Sequence, residues 1–160
     1  METVYDSSEA TLEHIKLVDF YLRFIAHQLL VRGAEHDRSK LLSPEKEMFD
    51  VATPKLKGLT YGSEEYNENL KELGVALEHH YKNNRHHTEH YGNGINDMTI
   101  VDVMEMFCDW CAATARHENG DIHKSIEINK EKYGISEVLA NIFENTVTMY
   151  NMGKVKNVES

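Results

Sequence analysis

The sequence predicts an all-α protein, a bundle of about six helices, on three observations. Apolar residues recur at helical spacing through most of the 160 residues. No stretch alternates at the two-residue period of a strand, and helix start and stop signals punctuate the chain. With 41% hydrophobic residues, one domain over residues 1–150 is expected, large enough to bury a core without disulfides. The polar stretch 151–160 is expected to fray.

The first helix is expected over Ser8 to Val31, with Leu12, Ile15, Val18, Tyr21, Leu22, Ile25 and Leu29 on its stripe behind an Asp6-x-x-Glu9 start. His14, four residues before Val18, shares that buried face. Gly33 should end the helix, and a short second one over Ala34 to Lys40 should present His36 and Asp37 side by side. Ser43-Pro44-Glu45 reads as N-cap, first-turn proline and acidic first turn of a third helix that fades before Thr53-Pro54. Leu56 to Gly62 is a connection. Ser63 caps the next helix, whose stripe Tyr66, Leu70, Leu73 and Leu77 continues into His80 and aims that imidazole inward.

Five of the ten histidines lie between His79 and His90, with Asn83-Asn84-Arg85 between the two groups. If the helix persists, His79, Asn83, His86 and His90 share a face; if it breaks at the asparagines, His86 and His87 fold back as a loop. Gly92 to Asp97 is a turn. Thr99-x-x-Asp102 then resembles a capping box for a helix to about His117, on which Asp102, Glu105 and Asp109 fall within one arc. Asp109, flanked by Met106, Phe107 and Trp110, is expected to be buried and to need a cation, whereas Asp102 is explained by the helix N-terminus. Asp121 to Lys132 and Ser136 to Tyr150 are two further amphipathic helices split by Gly134.

Seventeen basic against 27 acidic side chains give a formal charge of −10, which disfavours duplex nucleic acid and leaves a small phosphorylated molecule as the expected partner. No apolar run approaches the roughly 20 residues of a membrane span, and the start lacks a signal-peptide pattern, so no membrane partner and a cytoplasmic location are expected. A homo-oligomer is left open. Cys108-x-x-Cys111 lies inside a helical pattern rather than at a strand-to-helix turn and reads as two small hydrophobes. The adjacent His36-Asp37 pair offers one divalent ion a nitrogen and a carboxylate oxygen, a mixture that suits Mn, Fe, Co or Zn better than Mg or Ca.

The order His14, then His36-Asp37, then Asp109, all on helices, resembles the HD-domain metal-dependent phosphohydrolases. That resemblance implies an HD-domain-like helical bundle in which His14, His36, Asp37 and Asp109 hold a catalytic ion. Glu13-His14 and Cys108-Asp109-Trp110-Cys111-Ala112 look similar to segments of bacterial 5'-deoxynucleotidases. His36-Asp37-Arg38-Ser39-Lys40, Tyr61-Gly62-Ser63, His79-His80-Tyr81, Asn84-Arg85-His86-His87 and Cys108-Asp109-Trp110 look like a family of small phage and bacterial proteins without a settled activity. Those deoxynucleotidases carry a glutamate where Lys40 stands. Lys40 instead matches the His-Asp-x-x-Lys form of HD-GYP phosphodiesterases, whose paired histidines for a second ion His79-His80 resembles; the Gly-Tyr-Pro motif itself is absent.

The expected function is hydrolysis of a phosphorylated substrate, a nucleotide first, by water activated on one or two ions. Asp37 would bridge the ions and orient the water, Lys40 would hold a phosphate oxygen, and Arg85, His86 or His87 would contact the phosphate or protonate the leaving group. His79 and His80 join the metal ligands. A non-catalytic metal or nucleotide binder shares every ligand. A zinc peptidase using His86-x-x-Glu89-His90 is a further alternative and needs those residues on one helix. No Glu-x-x-His occurs, which argues against a ferritin-like di-iron site.

Overall fold

Seven α-helices, and no strand, are found among the residues described in the computed structural model, namely 5–57, 59, 63–71, 73–117 and 119–152. Where one domain is expected over residues 1–150, the chain divides into two compact units, Met1–Glu35 and His36–Ser160. No helix among the described residues is long and apolar enough to cross a membrane.

The first unit is the helix α1, Ser8–Glu35. It runs straight through Gly33. A glycine inside a helix costs only about 1 kcal/mol and ends it where the backbone turns left-handed; that turn comes at Asp37, whose φ is 57°. The expected second helix over Ala34 to Lys40 is therefore absent. Its start belongs to α1, and its end is a single 3-10 turn, Arg38–Leu41. None of the α1 side chains is buried, and the stripe expected to be an inner face, His14 included, is exposed except for half-buried Leu29. A lone helix has nothing of its own against which to bury a stripe.

The second unit holds two hydrophobic clusters. Helix α2, Glu45–Lys57, begins after Ser43-Pro44 and without the expected Ser43 cap; the Leu42 carbonyl accepts from the amides of Glu45 and Lys46 instead. It continues through Pro54, because the missing N–H frees only the Asp50 carbonyl, at an exposed position. The opposite face buries Ala52 and Leu56. The connection after it falls mostly on residues outside those described. Ser63 Oγ accepts from the Tyr66 amide at 3.2 Å, as a cap should, and opens α3, Glu64–Lys71. The single helix expected from Ser63 to His80 is broken before Gly74, where φ is +42°; α4 then spans Gly74–Asn83. Leu73 closes the first cluster with Ala52 and Leu56, against Met48, Phe49, Tyr66 and Leu77.

Helix α5, Ile100–Ala115, starts with the Thr99–Asp102 capping box that the sequence spells. Helix α6, Ile122–Tyr133, is capped by Asp121 and ends at left-handed Gly134; α7, Glu137–Tyr150, is capped by Ser136. These three enclose the second cluster, including Met106, Phe107, Trp110, Ile122, Ile126 and Phe143. Phe107 and Phe143 stack with centroids 4.6 Å apart, and Trp110 meets Phe143 edge-on at 5.8 Å. All but the first two residues of the expected frayed tail lie outside those described. Phe143→Ala should cost about 3–5 kcal/mol, read as a lowered denaturant midpoint with an unchanged slope.

Candidate metal centre

Helix α4 brings His79 and His80 up to the asparagines and stops there. Asn84 is extended, with φ −121°, and its Nδ2 donates to the His80 carbonyl at 2.8 Å and to Ser39 Oγ at 2.7 Å. The chain then turns back, so that the rings of His86 and His87 lie against those already in place. Centroids are 4.8 Å apart for His80 and His87, 4.1 Å for His86 and His87, and 4.4 Å for His36 and His86. Of the two arrangements open in the sequence, the fold-back is the one adopted.

The nitrogens and Asp37 converge. His80 Nε2 lies 2.9 Å from His87 Nε2 and 3.3 Å from Asp37 Oδ1. His86 Nε2 is 3.6 Å from Asp37 Oδ1, and His36 Nε2 is 3.5 Å from Asp37 Oδ2 and 3.7 Å from Asp109 Oδ1. Ligands bonded at about 2.0–2.3 Å to one ion sit roughly 3–4 Å from each other. Asp37, His80, His86 and His87 form a set able to hold an ion, and His36, His86 and Glu105 form a second. Asp37 Oδ1 and His86 Nε2 are buried and make no hydrogen bond, which buried polar atoms rarely tolerate. The donor set thus fits a borderline divalent ion.

Behind these donors stand two buried carboxylates. Glu105 Oε1 is 2.9 Å from His36 Nδ1 and 3.1 Å from His86 Nδ1. Glu45, fully buried, accepts from His79 Nδ1 at 2.7 Å through one oxygen, and from His80 Nδ1 at 2.8 Å and Ser39 Oγ at 2.9 Å through the other. Lys40 Nζ donates to Asp37 Oδ2 at 2.6 Å and lies 4.9 Å from the centroid of the Phe49 ring.

The electrostatics follow from these partners. Asp109 and then Glu105 hold a proton on His36, raising it to about 10 against the cost of burial. Burial pushes the Asp37 carboxyl up, but Lys40, His36 and His80 outweigh it and leave it at about 2. Burial and the neighbouring imidazoles of His86 and His80 drive His87 down to about 2. His80 is lowered by burial and Lys40. Burial also pushes Glu45 up, yet the hydrogen bonds from His79, His80 and Ser39 bring it below the ordinary carboxylate range. Neutral His80 and His87 suit a ligand.

Of the site residues read from the sequence, His36, Asp37, Lys40, His80, His86, His87 and Asp109 are brought together. His79 instead spends its Nδ1 on Glu45, and His14 lies in the other unit, on exposed α1. Arg85 is held by Asp102 through two 3.2 Å bonds and lies over Tyr91, a structural engagement rather than one with the cluster. The burial expected of Asp109 is reversed: its side chain is 31% exposed, while that of Asp102 is 0%. Adjacent residues on a helix point about 100° apart, so Phe107, Cys108 and Trp110 do not decide how Asp109 faces. The His86-x-x-Glu89-His90 motif has no helix; Thr88–His90 is one 3-10 turn, and His90 Nδ1 bonds the Tyr81 carbonyl at 3.0 Å. Glu45 and Glu105 are not among the site residues that the sequence points to. The shared arc of Asp102, Glu105 and Asp109 was a signal for Glu105, whereas Glu45 read only as a first-turn acid.

The chain belongs to a family of unknown function, DUF5662, whose model matches residues 3–149. No curated protein and no solved structure matches it.

An ion binding beside His36 has to displace the proton held there. Near neutral pH, binding of the ion at His36 should therefore release about one proton and strengthen as pH rises toward 10; calorimetry in buffers of different ionisation enthalpy reads the number. Asp109→Asn should weaken metal binding and leave the fold stable. Asp102→Asn should do the opposite, costing about 1–3 kcal/mol by unpairing buried bonds to Arg85 and Thr99, measured by denaturation beside a metal titration.

Proposed function

We propose that this protein is a metal-dependent phosphohydrolase of the HD-like kind, acting on a small phosphorylated molecule, with nucleotides the first class to test. The observation that carries the reading is the pair of buried atoms, Asp37 Oδ1 and His86 Nε2, left without hydrogen bonds inside a ring of imidazole nitrogens. Buried polar atoms without partners are expensive unless a ligand completes them.

A divalent ion held by Asp37, His80, His86 and His87, with a second at His36 and Asp109, would supply Lewis acidity and lower the pKa of bound water. Asp37 presents one oxygen to each side, Oδ1 toward His80 and His86 and Oδ2 toward His36. Lys40, one third exposed and bonded to Asp37, is the cation placed to take a phosphate oxygen. A cavity of about 50 Å³, lined by His86, His87, Asp109, Trp110 and Tyr133 among others, adjoins the cluster. It has room for a few waters, so the body of a substrate must lie outside it.

Purified protein loaded with Mn²⁺ or Co²⁺ should release phosphate from at least one member of a panel of mono-, tri- and cyclic nucleotides. Asp37→Asn should abolish both metal binding and turnover. A tightly bound ion with no turnover across the panel would assign the site to a non-catalytic binder, and no bound ion would end the reading.

A further inference from the structure

Glu45 is fully buried at the start of α2, yet it is a carboxylate, and packing α2 against α4 does not require one. An apolar side chain would join the two helices without the cost of burying a charge. What the carboxylate adds is direction. It can only accept, so each group within hydrogen-bonding distance has to donate: His79 Nδ1 and His80 Nδ1, one to each oxygen, and Ser39 Oγ. With its single proton spent on Glu45, Ser39 Oγ accepts from Asn84 Nδ2, and Asn84 Nδ2 also donates to the His80 carbonyl. Hydrogen bonds thus run from Asn84 to Glu45 by two routes, one through Ser39 and one through His80; Asn84 Nδ2 also lies 3.0 Å from His80 Nδ1, but only the carboxylate, at 2.8 Å, can accept a proton carried there.

An imidazole carrying its proton on Nδ1 offers a lone pair at Nε2. His80 Nε2 faces His87 Nε2 and Asp37 Oδ1, the donors of the candidate centre. We propose that Glu45 is a positioning residue: by taking the Nδ1 proton of His80 it fixes the tautomer that turns a lone pair toward Asp37 and His87, and so sets the donor set before an ion arrives. The consequence for metal binding rests on the metal reading above, while the tautomer does not. Both Glu45 oxygens are committed to these donors, so Glu45 acts through His80 and not as a ligand.

Outer carboxylates of this kind are worth about 10–100-fold in metal affinity. Two measurements test the role. In the metal-free protein, nitrogen-15 spectra of the imidazoles should show His80 as the Nδ1–H tautomer; Nε2–H there overturns the proposal without any variant. In a Co²⁺ titration followed by visible absorption, Glu45→Gln should bind 10–100-fold more weakly and reach the same spectrum at saturation. Equal affinity overturns the proposal, and an altered spectrum at saturation does so too, because it makes Glu45 a ligand. If the unsubstituted protein takes up no Co²⁺, the metal reading fails and the role of Glu45 in binding falls with it, while the tautomer is still read independently.

Discussion

Three carboxylates, Glu45, Asp102 and Glu105, are taken almost wholly out of water, and the rest of the second unit is arranged to satisfy them. Burying an ion costs several kcal/mol unless donors meet it. The partners come from far along the chain: His79 and His80 from α4 donate to Glu45, Arg85 donates to Asp102, and His36 Nδ1 lies 2.9 Å from Glu105, with His86 Nδ1 3.1 Å from the same oxygen but not hydrogen-bonded to it. The ties to Glu45 join α4 to α2, while those to Asp102 and Glu105 join α5 to His36 and to the segment that follows α4. The gathering of histidines is in this sense a by-product of charge satisfaction. Each imidazole brought in to serve a carboxylate with its Nδ1 carries a second nitrogen on its other edge, and for His36, His80 and His86 that nitrogen points to Asp37.

Local signals were readable and tertiary ones were not. The caps of α3, α5, α6 and α7 are set by residues within three positions of the helix start, and the sequence spells them out. His80 follows from the stripe that precedes it, although the helix breaks at Gly74, because α4 alone preserves the spacing from Leu77. The His36-Asp37 pair announces a site by composition. By contrast, Gly33 and Pro54 are weak punctuation, each removing about one favourable contribution from a helix that its neighbours sustain. Glu45 and Glu105 gain their meaning largely from distant partners, His79 at 34 residues and His36 at 69, and no spacing rule carries that information. The exchange of Asp102 and Asp109 has a similar cause. Sequence neighbours suggested burial, but burial on a helix is decided three and four residues away and by what the facing segment brings, here Arg85.

The same logic separates the histidines that share one motif. His86 and His87 lie next to each other on a turn, and both rings enter the cluster. His79 and His80 lie next to each other on a helix, so their rings diverge, and one carboxylate takes a proton from each while only His80 continues inward. His90 is diverted to the Tyr81 carbonyl. A histidine-rich segment therefore resolves into ligand candidates, a brace and a turn fixture according to the backbone beneath each residue, which composition does not reveal.

Charge also links the number of ions the centre could hold to the kind of ligand it would admit. Within the cluster and its support are four carboxylates, Asp37, Glu45, Glu105 and Asp109, set against Lys40 and a protonated His36. Without an ion the group carries about two negative charges, in a chain whose formal charge is −10. One divalent ion that displaces the His36 proton leaves it near minus one, still unfavourable for a phosphate. A second ion turns it near plus one, and in a low-dielectric setting that change of sign decides whether an anion is drawn in or turned away. Asp37 Oδ1 faces His80 and His86 and Oδ2 faces His36 and Lys40, so each oxygen could serve a different ion. If the ligand is a phosphate, the charge count asks for two ions; if one ion is all the centre holds, a neutral or cationic ligand fits it better.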